Sequence, residues 1–166
     1  SRLEQPGIAS VYEFGREGAL PFVAMRYVEG EDLASKLSAA RRGKLEQPSI
    51  EQVLAWIADA ARVVHYAHEA GVVHRDIKPS NLMISPDGQV VLLDFGLARD
   101  IESEGASLTR SGDIFGTPAY MAPEQIESDG SRADPRTDVH ALGVVLYEAL
   151  TLRQPFRGTT QAELYQ

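Results

Sequence analysis

Short strand pairs alternating with long helical stretches predict an α+β domain, and three observations carry that prediction. Two short strands at residues 10–14 and 21–26 flank a Gly15-Arg16-Glu17-Gly18 turn, the pattern of a hairpin. Apolar residues recur at helical spacing after Ser49, and again between residues 138 and 150. A second strand pair, 82–84 and 90–93, flanks a Pro86-Asp87-Gly88 turn. The 166 residues suffice for one domain with a true core and are too few for two.

In chain order, the first helix opens where Ser49 and Gln52 form a capping box. Ile50, Val53, Leu54, Ile57 and Val64 then repeat at helical spacing until Gly71, a helix stop. A loop of high charge density follows at residues 74–81 and leads into the second hairpin. Residues 99–116 are rich in Ser, Thr, Gly and charge with little periodicity, and read as a mobile loop. The second helix, 138–150, is apolar nearly all round and is expected to be buried. A further helix is expected to begin near Thr160. No internal repeat and no linker-like tract interrupts the chain.

The formal charge of −8, from 16 basic and 24 acidic residues, argues against a nucleic-acid partner, which would call for a basic face. Without cysteine there are no disulfides and no thiolate metal sites, which suits a cytoplasmic protein. The longest apolar run, 141–150, is broken by Gly143 and Glu148 and is too short for a membrane segment. The first residues, Ser1-Arg2-Leu3-Glu4, carry neither an initiator Met nor a signal core, so the chain is expected to be part of a longer one.

The strongest chemical signal is His74-Arg75-Asp76-Ile77-Lys78-Pro79-Ser80-Asn81. Asp94-Phe95-Gly96 begins eighteen residues after Asp76, and Ala122-Pro123-Glu124 ends thirty residues after Asp94. In this order and spacing the three resemble the catalytic loop, metal-binding turn and activation-segment end of eukaryotic-type, bacterial-like Ser/Thr protein kinases. That resemblance implies a kinase-like fold: the end of the N-lobe at 1–25, the hinge at 26–32, and a C-lobe at 33–166 cut short at its end. The implied cofactors are ATP and Mg²⁺, and the implied partner is a protein substrate. The sequence carries no signal for an oligomeric state. Asp76 would take or orient the substrate hydroxyl proton, Lys78 would face the γ-phosphate, and Asn81 and Asp94 would hold Mg²⁺. Lys78 two residues after Asp76 marks the Ser/Thr form. His74 and Phe95 are expected to pack into the internal spine. His65, His68 and His74 invite a metal reading by spacing, but structural roles fit them better.

By the same resemblance, Met25 falls at the gatekeeper position and the backbone of Arg26, Tyr27 and Val28 would meet the adenine edge. Asp32 would bond the ribose and Met83 would floor the pocket. Arg26 departs from the acidic residue commoner there and is expected at the surface. Arg75 beside Asp76 is the feature of kinases switched on by loop phosphorylation, with Thr109 and Ser111 as acceptors ahead of Ser107. Thr117, within Gly116–Tyr120, would bond Asp76 and Lys78. Asp138 would cap the catalytic-loop backbone from the start of its helix.

The family's Gly-x-Gly-x-x-Gly loop does not occur in these residues. The lysines are Lys36, Lys44 and Lys78, and none can serve as the phosphate-contacting strand lysine. Glu124 is expected to need an arginine beyond Gln166, and an unpaired buried charge costs about 3–5 kcal/mol. The isolated chain is therefore expected to be marginally stable and weakly active or inactive. The leading expectation is part of an active Ser/Thr kinase in the cytoplasm, or in the cytoplasmic part of a membrane-anchored protein. Its rival is a non-catalytic, pseudokinase-like interaction module. A small-molecule phosphotransferase is disfavoured by Lys78, the 116–120 segment and Ala122-Pro123-Glu124, which together shape a polypeptide groove.

Overall fold

The computed structural model describes residues 5–18, 20–95, 118–127 and 134–156. Thr109, Ser111, Ser107, Thr117 and the helix expected near Thr160 lie outside the described residues. Strands β1 (Val11–Glu17) and β2 (Leu20–Met25) form an antiparallel pair in which Glu17 faces Leu20. The turn is therefore tighter than the expected 15–18. Gly15 lies within β1 opposite Phe22, and a Cβ on it would fall 2.3 Å from the Phe22 ring. Glycine here marks a ring crossing the strand rather than a turn.

Strand β3 (Glu31–Asp32) runs directly into helix α1 (Leu33–Arg41), which the hydrophobic pattern did not single out. Asp32 caps it, its carboxylate accepting from the Ser35 amide at 2.8 Å and the Ser35 hydroxyl at 2.7 Å. Leu33 and Leu37, one turn apart, are fully buried and fasten α1 to the core.

Helix α2 (Ile50–Glu69) starts as expected. The Ser49 hydroxyl accepts from the Gln52 amide, and the Gln52 side chain accepts from the Ser49 amide. At its end Gly71 adopts φ +76°, the left-handed conformation in which a side chain is strained. The Gly71 and Val72 amides close the last turn on the carbonyls of His68 and Ala67.

Strands β4 (Leu82–Ile84) and β5 (Val90–Leu92) complete a three-stranded antiparallel sheet in the order β3-β4-β5. Register pairs Asp32 with Met83 and Met83 with Val91. Residues 7–9 run beside β5, with the Leu92 amide donating to the Gly7 carbonyl. Helix α3 (Pro123–Glu127) is a short turn after a 3₁₀ segment, Pro118–Tyr120.

Helix α4 (Pro135–Thr151) begins three residues before the expected start, because Asp134 caps it and Pro135 occupies its first position. Asp138 thus lies in the first turn. The expectation that this helix is buried all round is corrected. Ala141, Val144, Val145 and Ala149 are buried, whereas Val139 and Tyr147 are 63% and 47% exposed. One core unites α1, α2, α4 and the three-stranded sheet, with Val53, Ala60 and Ala67 of α2, Leu82, Leu92 and Val145 all fully buried. Burying side chains of this size contributes about 1.5–3 kcal/mol each for the larger ones, and it fixes the segment between α2 and β4.

Candidate active site

The segment between Gly71 and β4 carries the motif residues, and its shape is held by Asp138. That carboxylate is fully buried and accepts from the His74 amide at 2.9 Å and the Arg75 amide at 2.8 Å. The His68 ring contributes a third bond through Nε2 at 2.7 Å. These bonds hold Arg75 at φ +69°, a conformation that costs a side-chain-bearing residue about 1–3 kcal/mol unless its surroundings impose it.

His74 is 2% exposed, with its ring 4.5 Å from that of Phe95, as the spine reading expected. Its Nδ1 accepts from the Asp76 amide at 3.3 Å and its Nε2 lies 2.9 Å from the Leu93 carbonyl. Only the tautomer protonated at Nε2 satisfies both. His65 points to solvent, so the three histidines have three separate surroundings. Among the described residues no three His, Cys, Asp or Glu side chains converge as a metal-binding group.

Asp76 follows directly. Lys78 Nζ donates to its Oδ2 at 2.7 Å, and Asn81 Nδ2 donates to its backbone carbonyl at 2.9 Å and to Oδ2 at 3.3 Å. With Oδ2 engaged twice, Oδ1 accepts no hydrogen bond from the described residues. Asn81 is buried, and its carbonyl accepts from the Leu93 amide, which brings Asp94 alongside. Asp94 is half-buried at φ +61°. Burial pushes its carboxyl above the ordinary range. Neighbouring His74 and Lys78 oppose that shift, and Asp76 adds to it. The Asp94 carboxylate and the Asn81 amide oxygen are hard-oxygen donors of the kind that suits Mg²⁺, which takes few protein ligands.

On the other flank, Met25 ends β2 and is half-buried. The Arg26 amide is tied to the Ser10 carbonyl at 2.8 Å, while the backbone of Tyr27 and Val28 bonds none of the described residues. Arg26 is half-exposed. Its guanidinium folds back to donate to the Pro6 carbonyl at 2.7 Å, and its Nε is buried without a partner among the described residues. Residues 5–10 cross beneath it, a contact that no local pattern announces. Asp32, capping α1, retains acceptor capacity on a carboxylate that offers about four lone pairs.

Three features escaped the motif reading. Glu148, interrupting an apolar helix, is a buried carboxylate paired with Arg41 of α1, and it accepts the Tyr120 hydroxyl. Gln154 donates to that hydroxyl at 3.0 Å. Burial first, and then the bond to Glu148, push the Tyr120 hydroxyl well above its usual range. Gln125, the third feature, joins the Arg75 carbonyl to the Ala122 amide. The only advance signal of Glu148 was a charge on an otherwise apolar face. Glu124 is half-buried rather than buried and takes a 3.4 Å contact from the Thr137 hydroxyl, so the cost expected for an unpaired buried charge does not apply. Arg75 makes no side-chain ion pair among the described residues. A shallow crevice beside Asp76 is lined by Arg75, Ile77, Tyr120 and Met121.

Asp76, Lys78 and Asn81 thus stand on one loop, held by Asp138, beside Asp94. The protein kinase domain family matches residues 1–166, and the chain belongs to that family. It is 43% identical over 158 residues to the serine/threonine-protein kinase PknL of Mycobacterium tuberculosis, covering 95% of this chain and 37% of that protein. Against PknA of the same organism the identity is 42% over 161 residues, with 94% and 35% covered. Against a probable serine/threonine-protein kinase PknB of Bifidobacterium longum it is 38% over 167 residues, with 95% and 23% covered. The chain thus spans less than two fifths of the length of these relatives. Among the described residues no helix is long and apolar enough to cross a membrane.

Proposed function

We propose that the protein carrying this chain transfers the γ-phosphoryl group of ATP to Ser and Thr hydroxyls of protein substrates. The observation that carries this reading is Asp76, whose Oδ2 is fixed by Lys78 and Asn81 while its Oδ1 accepts no hydrogen bond from the described residues. In the step, the substrate hydroxyl oxygen bonds to the γ-phosphorus as the bond to the β–γ bridging oxygen breaks and ADP departs. Asp76 orients that hydroxyl and receives its proton. Lys78 holds Asp76 and, once nucleotide is present, shares its charge with the γ-phosphate. Asn81 and Asp94 would hold Mg²⁺, which neutralises the phosphate charge that develops.

The adenine edge would fall to the backbone of Arg26–Val28, with Met25 at the gatekeeper position and Met83 as the pocket floor, and the ribose to Asp32, which pairs with Met83. Arg75 would receive a phosphate placed on Thr109 or Ser111, and Thr117 would brace Asp76 and Lys78. Such a protein would work in the cytoplasm. The 166 residues contain neither a Gly-x-Gly-x-x-Gly loop nor a strand lysine, so by themselves they are weakly active or inactive, and the full-length gene product is the protein to assay.

The test is transfer of radiolabelled γ-phosphate to myelin basic protein by the full-length protein, with Asp76→Asn as comparison. Loss of a general base lowers kcat by about 10²–10⁴-fold. Equal transfer by the two proteins, or none by the wild type with ATP and Mg²⁺, would overturn the reading. The second result would return the protein to the class of interaction modules.

A further inference from the structure

Resting on the kinase reading, we propose that Gln125 is a positioning residue that sets Asp76 in register with the chain segment ending at Ala122. Gln125 is 8% exposed. Its Nε2 donates to the Arg75 carbonyl at 2.9 Å, and its Oε1 accepts from the Ala122 amide at 3.0 Å. Its own amide donates to the Ala122 carbonyl at 2.9 Å, so side chain and backbone together grip one residue.

The Arg75 carbonyl belongs to the planar peptide whose nitrogen is that of Asp76. Fixing that oxygen fixes the plane from which the Asp76 side chain projects. The opposite edge of the plane is held less firmly, by the 3.3 Å bond from the Asp76 amide to His74 Nδ1. On the preceding peptide, Asp138 holds the Arg75 amide. Arg75, at φ +69°, is therefore gripped on its N–H from α4 and on its carbonyl from α3. The α3 grip reaches directly to Ala122, next to Tyr120 and Met121, which line the crevice beside Asp76. The Gln125 side chain thus fixes both the plane from which Asp76 projects and the backbone that follows Tyr120 and Met121.

The demand on side-chain chemistry is narrow. One end must donate to a carbonyl and the other must accept from an N–H, at the length of a glutamine. An ionised Glu keeps the acceptor but sets a carboxylate against the Arg75 carbonyl. A Leu leaves both backbone groups without a partner.

The experiment compares wild type, Gln125→Glu and Gln125→Leu in the full-length protein. It measures kcat and the KM for ATP with myelin basic protein and Mg²⁺, together with thermal unfolding. Misplacing a catalytic group by about 1 Å costs up to about 10²-fold, so kcat is expected to fall at least about tenfold in both variants. The KM for ATP is expected to stay within about twofold, because the hinge side is untouched. A kcat within about twofold of wild type, or a KM for ATP that changes as much as kcat, would overturn the proposal. If a variant does not fold, hydrogen exchange at the Ala122 amide of the wild type decides. That amide is expected to be protected at least about 10²-fold, and exchange at the unprotected rate overturns the strut. A wild type that transfers no phosphate refutes the kinase reading instead, while Ala122 protection still reports on the Gln125 contacts.

Discussion

Replacing Asp138 by Asn exchanges one carboxylate oxygen for an NH₂ in a site that is fully buried, and the geometry fixes the consequence. The native carboxylate accepts from the His74 amide, the Arg75 amide and His68 Nε2 at 2.7–2.9 Å. An Asn oxygen can keep one of the two backbone bonds. Its NH₂ then faces the other N–H, and a change of tautomer at His68 relieves only the ring. One backbone donor is left buried without a partner, at about 1–3 kcal/mol. The surviving bond to backbone also loses its charge assistance, worth about 1 kcal/mol. The sum is about 2–4 kcal/mol. At about 2–4 °C per kcal/mol for a domain of this size, Tm falls by roughly 4–16 °C. Urea unfolding of the full-length protein should show the same loss as a lower midpoint at unchanged slope, with kcat falling at least about tenfold as the loop relaxes. His68→Gln keeps a donor near the carboxylate and should cost only about 1 kcal/mol. An Asp138→Asn midpoint within about 0.5 kcal/mol of wild type would refute the claim that these bonds hold the loop.

Asp94→Asn should stabilise the protein in the absence of nucleotide and Mg²⁺, since burial raises the Asp94 carboxyl and Asn tolerates the positive φ. A raised native pKa means that the native state holds the proton more tightly. The wild type therefore loses stability as pH rises through that pKa, and the advantage of Asn should disappear in acid. The same variant should lose the Tm increment that ATP with Mg²⁺ gives the wild type. Tyr120→Phe removes the hydroxyl between Glu148 and Gln154 and should cost about 1–2 kcal/mol in urea unfolding. Ser49→Ala, which breaks the capping box of α2, should cost about 1 kcal/mol and leave kcat unchanged.

What could be read in the sequence was what is local. The capping box, the Gly71 stop and the β4–β5 hairpin depend on neighbours within a few residues, and they stand where pattern put them. The motif residues carried their own spacing, so Asp76, Lys78, Asn81 and Asp94 fall together as the resemblance implied. The first hairpin extends past Gly15 because a cross-strand ring, not a turn, accounts for that glycine. In helix α1 Leu33 and Leu37 alone mark the buried face, too few for a periodic signal. The bond from Arg26 to the Pro6 carbonyl spans twenty residues. Gln125 reaches fifty residues back to Arg75, and Arg41 more than a hundred forward to Glu148. Contacts of that range leave no periodicity, and the buried Glu148 announced itself only as a charge in the wrong company.

These long-range contacts share one scaffold. Asp138 and Glu148 both stand on α4, ten residues apart, which is about 15 Å at 1.5 Å per residue. The N-terminal end of the helix fixes the loop that presents Asp76. The C-terminal end fixes Tyr120, with Arg41 balancing the charge from α1. A rigid helix thus sets the distance between the group that would take the proton and the wall along which a polypeptide would lie. Gln125 crosses the same gap by a shorter path through α3. A scaffold of this kind explains why two acidic side chains are retained on the buried face of a helix where apolar residues would pack at lower cost. Each is held by donors from a different element, and removing either carboxylate would loosen one end of that span while leaving the other in place.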